Sequence, residues 1–467
     1  ARAVLPHGTT GAFIDPHEIA NVLGLEGVRL MAQEATTTPM QIYVQVPSCV
    51  PSAPGLETAG ASIGPNEVAE AMTWPGVIGL GEVMNYPGVA AGDETLHAEI
   101  AETLKAGKVV GGHYASPDLG PLFHAYAAAG PSDDHEGTRQ EDTIARVRQG
   151  MYAMLRQGSA WHDVAAQLPA ITEQGVDPRH VLLCTDDRHP GTLLSDGHMD
   201  DVVRLAIREG IAPLTAIQMA TLNTAEHFGV ADDLGCIAPG RYADILVLSD
   251  LERFTIDVVF AAGEVVAQGG ELVVDIALYP YPKEARGSVR LARALKSSDF
   301  AVTAPVKEGV LRARVMEVIE NQVVNRAVLT ELPVKKGRVC PDLAHDVAFV
   351  SVVERHRGSG RISHGFVRGF GLKARCALAS TVAHDSHNLL IMGTDHEAMA
   401  KAGNCVAEMG GGVCLVKNDK VEASIPLPIA GLMSEEPVET VAEQAEGLNR
   451  ALMACGCSLN NAFMTFS

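Results

Sequence analysis

From residue 1 to about residue 230, short apolar runs alternate with amphipathic stretches. Five of the apolar runs are typical of buried strands, and they cover residues 11–15, 41–47, 77–83, 108–113 and 180–187. Three longer segments carry apolar residues at helical spacing and end at glycine, and they cover residues 93–107, 138–158 and 198–210. This alternation predicts a parallel sheet with right-handed crossovers, which a doubly wound sheet and a (β/α)8 barrel both satisfy.

Polar side chains stand at the C-terminal ends of the apolar runs. The residues concerned are Asp15, His17, Glu82, His113, His135 and Asp186. A barrel gathers the C-terminal ends of all its strands around one mouth, whereas an open sheet spreads them along an edge. Because a barrel would bring these side chains together, we favour a barrel and assign it to residues 1–232.

The pattern changes after residue 232. Residues 233–290 contain short alternating strands joined by turns with glycine or aspartate, which predicts a small antiparallel β unit. Residues 295–467 again mix strands and helices, which indicates an additional C-terminal α/β domain. A chain of 467 residues is long enough for two or three domains.

The composition is typical of a globular protein, with 47% hydrophobic and 4% aromatic residues. The net charge of -21 argues against nucleic acid or an anionic membrane as a partner. No apolar run is long enough to span a bilayer, and no secretory signal is visible. The nine cysteines are scattered without a CxxC pair, which predicts reduced thiols and a cytoplasmic location.

The polar residues at the strand ends have the chemistry of metal ligands. Histidine nitrogen and carboxylate oxygen together suit Zn, Fe(II) or Mn(II), and the lack of paired cysteines argues against a structural zinc site. A single histidine at a strand end is usually a hydrogen-bonded loop residue, but several at successive strand ends predict a metal site. Glu82 follows two glycines that permit close backbone approach, as a bridging carboxylate requires; the alternative is a buried Glu–Arg pair.

Asp186 ends an apolar strand inside the segment LLCTDDRHP. Beside a metal, such a carboxylate can accept a proton from bound water and later protonate a leaving group. Its neighbours Asp187, Arg188 and His189 either orient the substrate or hold the loop through an Asp–Arg pair. A solvated loop at the end of a buried strand is the alternative for this segment.

Four of the candidate site histidines are open to two or more interpretations. His135 stands among acidic residues that could form a solvated turn, and His17 also fits an ordinary helix N-terminus. His384 and His387, in VAHDSHN, could be a metal pair, a substrate contact or a polar turn. For these two we favour a loop whose side chains contact the substrate.

Ten segments resemble, in order along the chain, those of the bacterial adenine deaminases of the amidohydrolase superfamily. They include DPHEIANVLG, VPSCVPSAPGLETAGA, GLGEVMNYPGV, DHEGT, LCTDDRHP and GCIAPGRYADILVL. The resemblance covers nearly the whole chain. It implies a metal-dependent (β/α)8 TIM-like barrel, a small β-sandwich, an additional C-terminal domain, and conversion of adenine and water to hypoxanthine and ammonia in purine salvage.

The same resemblance implies roles for individual residues. Glu82 would bridge a binuclear Mn or Fe site (Zn is possible), and His113 and His135 would bind metal. Asp186 would be a ligand and the proton shuttle while metal-bound hydroxide attacks C6 of adenine, and His17 would be a further member of the site. A homodimer or larger homo-oligomer is common for such barrels.

Two departures from the family pattern bear on these expectations. No H-x-H pair occurs in the 467 residues, so we expect the strand that carries it to precede Ala1 in the native protein. Gly137 stands where a cysteine is expected after DHE. Alternatives to adenine deamination are another amidohydrolase acting on a different aminopurine or cyclic amide, and a catalytically inactive homologue that binds a purine.

Overall fold

The computed structural model of the protein describes residues 1–320, 325–460 and 462–467. The chain divides into two compact units. The first unit contains residues 1–20, 24–54 and 61–280, and the second contains residues 21–23, 55–60 and 281–467.

Seven short parallel strands form the centre of the first unit. They are β1 (Gly11–Ile14), β2 (Gln41–Pro47), β3 (Val77–Val83), β4 (Val109–Gly112), β5 (Asp133–Asp134), β6 (Tyr152–Arg156) and β7 (Val181–Cys184). Their order is β1-β2-β3-β4 in one sheet and β5-β6-β7 in the next. The two sheets adjoin, because the Ser132 N–H donates to the Val110 carbonyl over 2.9 Å. The result is a TIM-like α/β arrangement of strands in sequence order.

Helices connect these strands. They are α1 (His17–Leu23), α2 (Leu25–Ala35), α3 (Pro65–Ala71), α4 (Tyr86–Ala91), α5 (Glu94–Lys105), α6 (Pro121–Ala129), α7 (Gln140–Arg148), α8 (Val164–Gln167), α9 (Pro169–Thr172), α10 (Pro190–Ser195), α11 (Met199–Arg208), α12 (Pro213–Ala220) and α13 (Leu222–His227). The sequence explains α5 well: the Asp93 carboxylate caps its N-terminus by accepting from the Leu96 N–H, and Leu96 and Ile100 are buried on one face.

The helix predicted over residues 138–158 is wrong in its second half. The helix α7 ends at Arg148, and Gly150 adopts the left-handed φ of +78° that stops it. The chain then continues as β6, in which Ala153 and Leu155 are buried while Tyr152 and Met154 are only partly buried, the alternation of a strand. The correction places Arg156 at the C-terminal end of a strand.

Residues 245–272 form the predicted antiparallel β unit. Its strands are β8 (Ile245–Asp250), β9 (Thr255–Ala261), β10 (Glu264–Gln268) and β11 (Glu271–Leu272). They pair in the order β11-β10-β9-β8, each antiparallel to its neighbour. Val259 and Val266 from this sheet share an apolar cluster with Leu5 and Met40, so the sheet packs within the first unit.

A nine-stranded sheet dominates the second unit. Its strands are β12 (Gly309–Glu317), β13 (Arg326–Lys335), β14 (Arg338–Val339), β15 (Val347–Val353), β16 (Ile362–Arg368), β17 (Cys376–Ser380), β18 (Leu389–Gly393), β19 (Gly412–Lys417) and β20 (Lys420–Pro426). Their order is β14-β13-β12-β16-β15-β18-β17-β19-β20. The helices are α14 (His396–Glu408), α15 (Val438–Ala454) and α16 (Ala462–Phe466).

The central strands of this sheet are buried on both faces. On one face Ala377 of β17 lies in an apolar cluster with Met399 of α14, and on the other Leu378 lies in a cluster with Leu448 of α15. A sheet covered on both sides explains why β17 reads as a continuous apolar run. Among the described residues of either unit, no helix combines the length and apolar character needed to cross a membrane.

Candidate metal centre

Seven polar side chains of the first unit come together at the C-terminal ends of its strands. Three groups can each offer ligand atoms within 4.8 Å of one another: Glu82 with His113 and His135, Asp15 with His17 and Glu82, and His135 with Glu136 and Asp186. The groups share Glu82 and His135, so they form one connected cluster. All five residues for which the sequence predicts a metal role belong to it, together with Asp15 and Glu136.

Glu82 lies at the centre of the cluster. Its Oε2 is 3.2 Å from His113 Nδ1 and 3.9 Å from His17 Nδ1, and its Oε1 is 3.8 Å from His135 Nε2. The imidazole rings of His113 and His135 are nearly perpendicular, with centroids 5.1 Å apart. Each oxygen of the Glu82 carboxylate therefore faces a different set of imidazoles, the arrangement that a carboxylate bridging two cations requires.

The backbone is unusual at both catalytic candidates. Glu82 has a φ of +33° and Asp186 a φ of +55°, a region that residues other than glycine adopt uncommonly and that often marks functional sites.

Gly81 is required by a close contact with Asp15. A Cβ atom there would lie 1.8 Å from Oδ2 of Asp15, so only glycine lets this carboxylate approach β3. The close approach predicted from the glycines before Glu82 is made by Asp15.

The buried charges of the cluster shift one another's pKa values. Burial raises the pKa of Asp15 to about 6, against the opposing effect of His17. Burial also favours neutral Glu82, but His17 and His113 hold its pKa well below its usual value. Burial opposes protonation of His113, yet Glu136 and Glu82 raise its pKa to about 9. The raised pKa values of His17 and His113 favour their protonated forms, whose charge opposes that of the carboxylates.

These residues fit a divalent cation. The donor set is oxygen and nitrogen only, which suits Mn, Fe or Zn. The two oxygens of the buried Asp15 carboxylate have no hydrogen-bond partner among the described residues, and His17 Nδ1 is 3.7 Å from Oδ1. Buried polar atoms normally have partners, so a carboxylate of this kind beside the His17 imidazole and the Glu82 carboxylate is well suited to a cation.

The loop after β5 is not the solvated acidic turn that was the alternative for His135. Asp133, Asp134 and Glu136 are all buried. Asp133 accepts from His227 Nε2 at 2.6 Å and Asp134 pairs with Arg146 at 2.9 Å.

Glu136 lies between the imidazoles of His113 and His135 and the buried guanidinium of Arg156. Its Oε1 is 3.6 Å from His135 Nε2 and 3.9 Å from His113 Nε2. The same oxygen accepts a hydrogen bond from Nη1 of Arg156. The acidic loop therefore contributes a second ordered carboxylate to the cluster.

Arg156 is the residue of the site that the sequence analysis missed. Its guanidinium donates from Nη1 to Glu136 and to Asp186 Oδ2, the latter at 2.8 Å, and from Nε and Nη2 to Asp163 Oδ2 at 3.1 Å. The sequence contains a signal for it, because Gly150 can end a helix and the apolar residues after it alternate as in a strand. That pattern would have predicted a strand with Arg156 as the polar residue at its C-terminal end.

Asp186 is held at both oxygens of its carboxylate. Its Oδ1 accepts from the Asp187 N–H at 2.6 Å and its Oδ2 from Arg156. The side chain is 23% exposed, so a carboxylate that is held by both oxygens remains open to solvent and to a small molecule.

The three residues after Asp186 have mainly loop contacts in the structure. Arg188 donates to Asp201 Oδ2 and to the Gly197 carbonyl, both at 2.8 Å, so the expected Asp–Arg pair forms with a distant aspartate. His189 precedes α10, and its Nδ1 accepts from the Gly191 N–H. Of this segment, only Asp186 is in the ligand cluster formed by the described residues; substrate contact by Asp187, Arg188 and His189 stays a prediction.

His384 and His387 belong to the second unit. They lie in the connection between β17 and β18, with ring centroids 5.0 Å apart. His387 is fully buried, its Nδ1 accepts from the Ala383 N–H, and its carbonyl accepts from Arg355 Nε at 2.6 Å. Their contact with a substrate stays a prediction.

Comparison with known proteins identifies the family of this chain. Residues 1–266 match the amidohydrolase family, so the class of protein is a hydrolase of that family. Residues 322–467 match the adenine deaminase C-terminal domain.

Curated relatives narrow the class further. The chain is 58% identical over 466 residues to the adenine deaminase of Mesorhizobium japonicum, which covers 100% of this chain and 77% of the relative. It is 58% identical over 467 residues to adenine deaminase 3 of Rhizobium meliloti and 54% identical over 467 residues to the adenine deaminase of Moorella thermoacetica, with 100% of this chain and 78% of each relative covered. The chain belongs to the adenine deaminase family.

Proposed function

We propose that this protein catalyses the hydrolytic deamination of adenine to hypoxanthine and ammonia. The observation that carries the proposal is the strand-end cluster around Glu82, found in a chain that aligns along its whole length with adenine deaminases at 54–58% identity. Adenine is a small molecule, and the 23% exposure of Asp186 leaves the proton acceptor accessible to it.

We also propose that the cluster holds two divalent cations, Mn or Fe, with Zn as a possible substitute. Glu82 would bridge them, His113, His135 and Asp186 would be ligands, and His17 would complete the set. The nitrogen and oxygen donors and the buried carboxylates support this assignment. When bound, such cations lower the pKa of water so that hydroxide is available near neutral pH.

Asp186 moves the protons of the reaction. It accepts a proton as the water oxygen forms its bond to C6 of adenine, and it returns that proton to the exocyclic nitrogen. The C6–N bond then breaks and ammonia leaves, so that hypoxanthine keeps the oxygen. Arg156 and the Asp187 N–H hold the carboxylate ready for both transfers.

The fold assignment goes one step beyond the described strands. We propose that β1 to β7 belong to a (β/α)8 barrel, with domain boundaries at residues 1–232, 233–290 and 295–467. The seven parallel strands in sequence order and the convergence of polar residues at their C-terminal ends support the barrel.

The test is ammonia release from adenine by the protein loaded with Mn or Fe, compared with Asp186→Asn. We expect rapid release that falls by at least about 10³-fold in the variant, because the general base and a ligand are both lost. Asp196→Asn is the control, since the hydrogen bond that this exposed carboxylate accepts comes from the adjacent Ser195 hydroxyl. No release from protein with a full metal content would contradict adenine deamination and direct the search to other aminopurines and cyclic amides.

A further inference from the structure

Arg156 joins three loops of the candidate centre. Its side chain is 3% exposed and its guanidinium contacts carboxylates that follow three successive strands: Glu136 after β5, Asp163 after β6 and Asp186 after β7. Nη1 serves the two carboxylates of the ligand cluster, whereas Nε and Nη2 hold Asp163. The indole of Trp161 lies 5.2 Å from Cζ and packs against the guanidinium.

The directions of these bonds give Arg156 a geometric role. The bonds from Nε and Nη2 to a single Asp163 oxygen fix the plane of the guanidinium, so Nη1 has a set position. From that position it meets Asp186 Oδ2 at 2.8 Å, while the Asp187 N–H holds Oδ1. The Asp186 carboxylate is therefore bound at both oxygens, and rotation about its side-chain torsions is opposed.

The second contact of Nη1 extends to the imidazoles. Glu136 accepts from Arg156 and lies within 3.9 Å of both His113 Nε2 and His135 Nε2. Without the guanidinium, three carboxylates of like charge would face one another with no cation between them. Such groups repel, and they would move apart into whatever space the loops allow.

We propose that Arg156 is a positioning residue for the deamination: it fixes the Asp186 carboxylate for proton transfer and, through Glu136, the imidazoles of His113 and His135. The inference rests on the proposed function in that Asp186 is taken as the proton shuttle. In this role Arg156 acts through these side chains, because its own side chain is 3% exposed and its guanidinium is bonded to carboxylates. The planar fork is needed for the full effect, because a lysine ammonium could reach Asp186 or Glu136 but has no second arm with which to hold Asp163.

The experiment compares wild type, Arg156→Gln and Arg156→Lys as metal-loaded proteins, with kcat and KM for adenine, metal content and crystal structures as readouts. We expect Arg156→Gln to lower kcat about 100-fold with KM changed less than about threefold, since a misplacement near 1 Å has this effect on catalysis. Arg156→Lys should recover part of kcat. In the crystal, the Asp186 carboxylate of Arg156→Gln should be displaced while the metals remain. Arg204→Gln is the matched control, because Arg204 also binds an aspartate at 2.8 Å but lies outside the cluster.

Two results would overturn the proposal. One is a kcat of wild-type size in Arg156→Gln. The other is a loss of kcat that only follows a loss of bound metal, with Asp186 unmoved, since Arg156 would then serve metal retention. Failure of the proposed function is seen separately, as absence of ammonia release by the wild type; the displacement of Asp186 in the crystal still decides the role of Arg156 in that case.

Discussion

Glu99 on α5 offers a direct test of how burial affects the stability of the first unit. The residue is 3% exposed, and its Oε2 has no hydrogen-bond partner among the described residues. Burial, with smaller contributions from Asp93 and Glu67, raises the pKa of Glu99 from its ordinary 4.5 to about 8. The folded protein therefore binds this proton more tightly than the unfolded chain, so the contribution of Glu99 to stability is most favourable below pH 4.5 and falls as the pH rises toward 8.

The magnitude follows from these two values. At 1.36 kcal/mol per pKa unit, the full difference corresponds to about 5 kcal/mol, of which about 4 kcal/mol develops between pH 5 and pH 9. Glu99→Gln keeps the shape and a neutral head at every pH. We expect it to match wild type at pH 5 and to exceed it in thermal midpoint by roughly 4–8 °C at pH 9.

The assay is calorimetry of both proteins at pH 5 and pH 9. Glu102→Gln is the control, because this residue lies on the same helix with its carboxylate paired to Lys105 at 3.2 Å near the surface, and its removal should change stability by less than about 0.5 kcal/mol. Equal midpoints for Glu99→Gln and wild type at pH 9 would refute the reasoning, since Glu99 would then ionise at no cost.

Two further predictions concern the candidate centre itself. Gly81→Ala should displace the Asp15 carboxylate, lower kcat about 100-fold and cost about 1–3 kcal/mol of stability. Gly11→Ala should do neither, because an added Cβ there would have its nearest neighbour 3.5 Å away. Measurements of kcat and thermal denaturation check this, and a wild-type kcat in Gly81→Ala would contradict it. Protein stripped of metal should lose stability between pH 6.5 and pH 9, because the raised pKa of His113 gives a stabilising contribution that is complete below pH 6.5 and lost as the pH rises through about 9. Added Mn²⁺ should restore the thermal midpoint most at pH 9. A thermal midpoint independent of both pH and Mn²⁺ would contradict this prediction.

Local patterns in the sequence predicted the strands that deliver the site. An apolar run fixes where a buried strand ends, so the positions of Glu82, His113 and Asp186 followed directly. The strand β6 was missed because its apolar residues continue the preceding helical pattern, and only Gly150 marks the break. Arg156 was missed with it.

Pairings between distant segments could not be predicted in the same way. An Asp–Arg pair was one of the two interpretations of the loop after Asp186, but the sequence did not show that the partner of Arg188 is Asp201 on α11. Likewise, nothing in the local sequence shows that Gly81 faces Asp15, because that contact depends on the register of β1, β2 and β3. Such contacts are decided by tertiary packing, which a residue pattern along one strand does not contain.

The segment of residues 133–136, which contains β5, limits how this protein can vary in length. Each of its four consecutive side chains contacts a different part of the first unit. Asp133 bonds to α13, Asp134 to α7 and Glu136 to the end of β6, while His135 belongs to the ligand cluster. One inserted or deleted residue would shift all four by a position and break every one of these contacts together. Insertions and deletions should therefore be absent here in functional relatives, while exposed connections such as the turn at Gly107 can accept them.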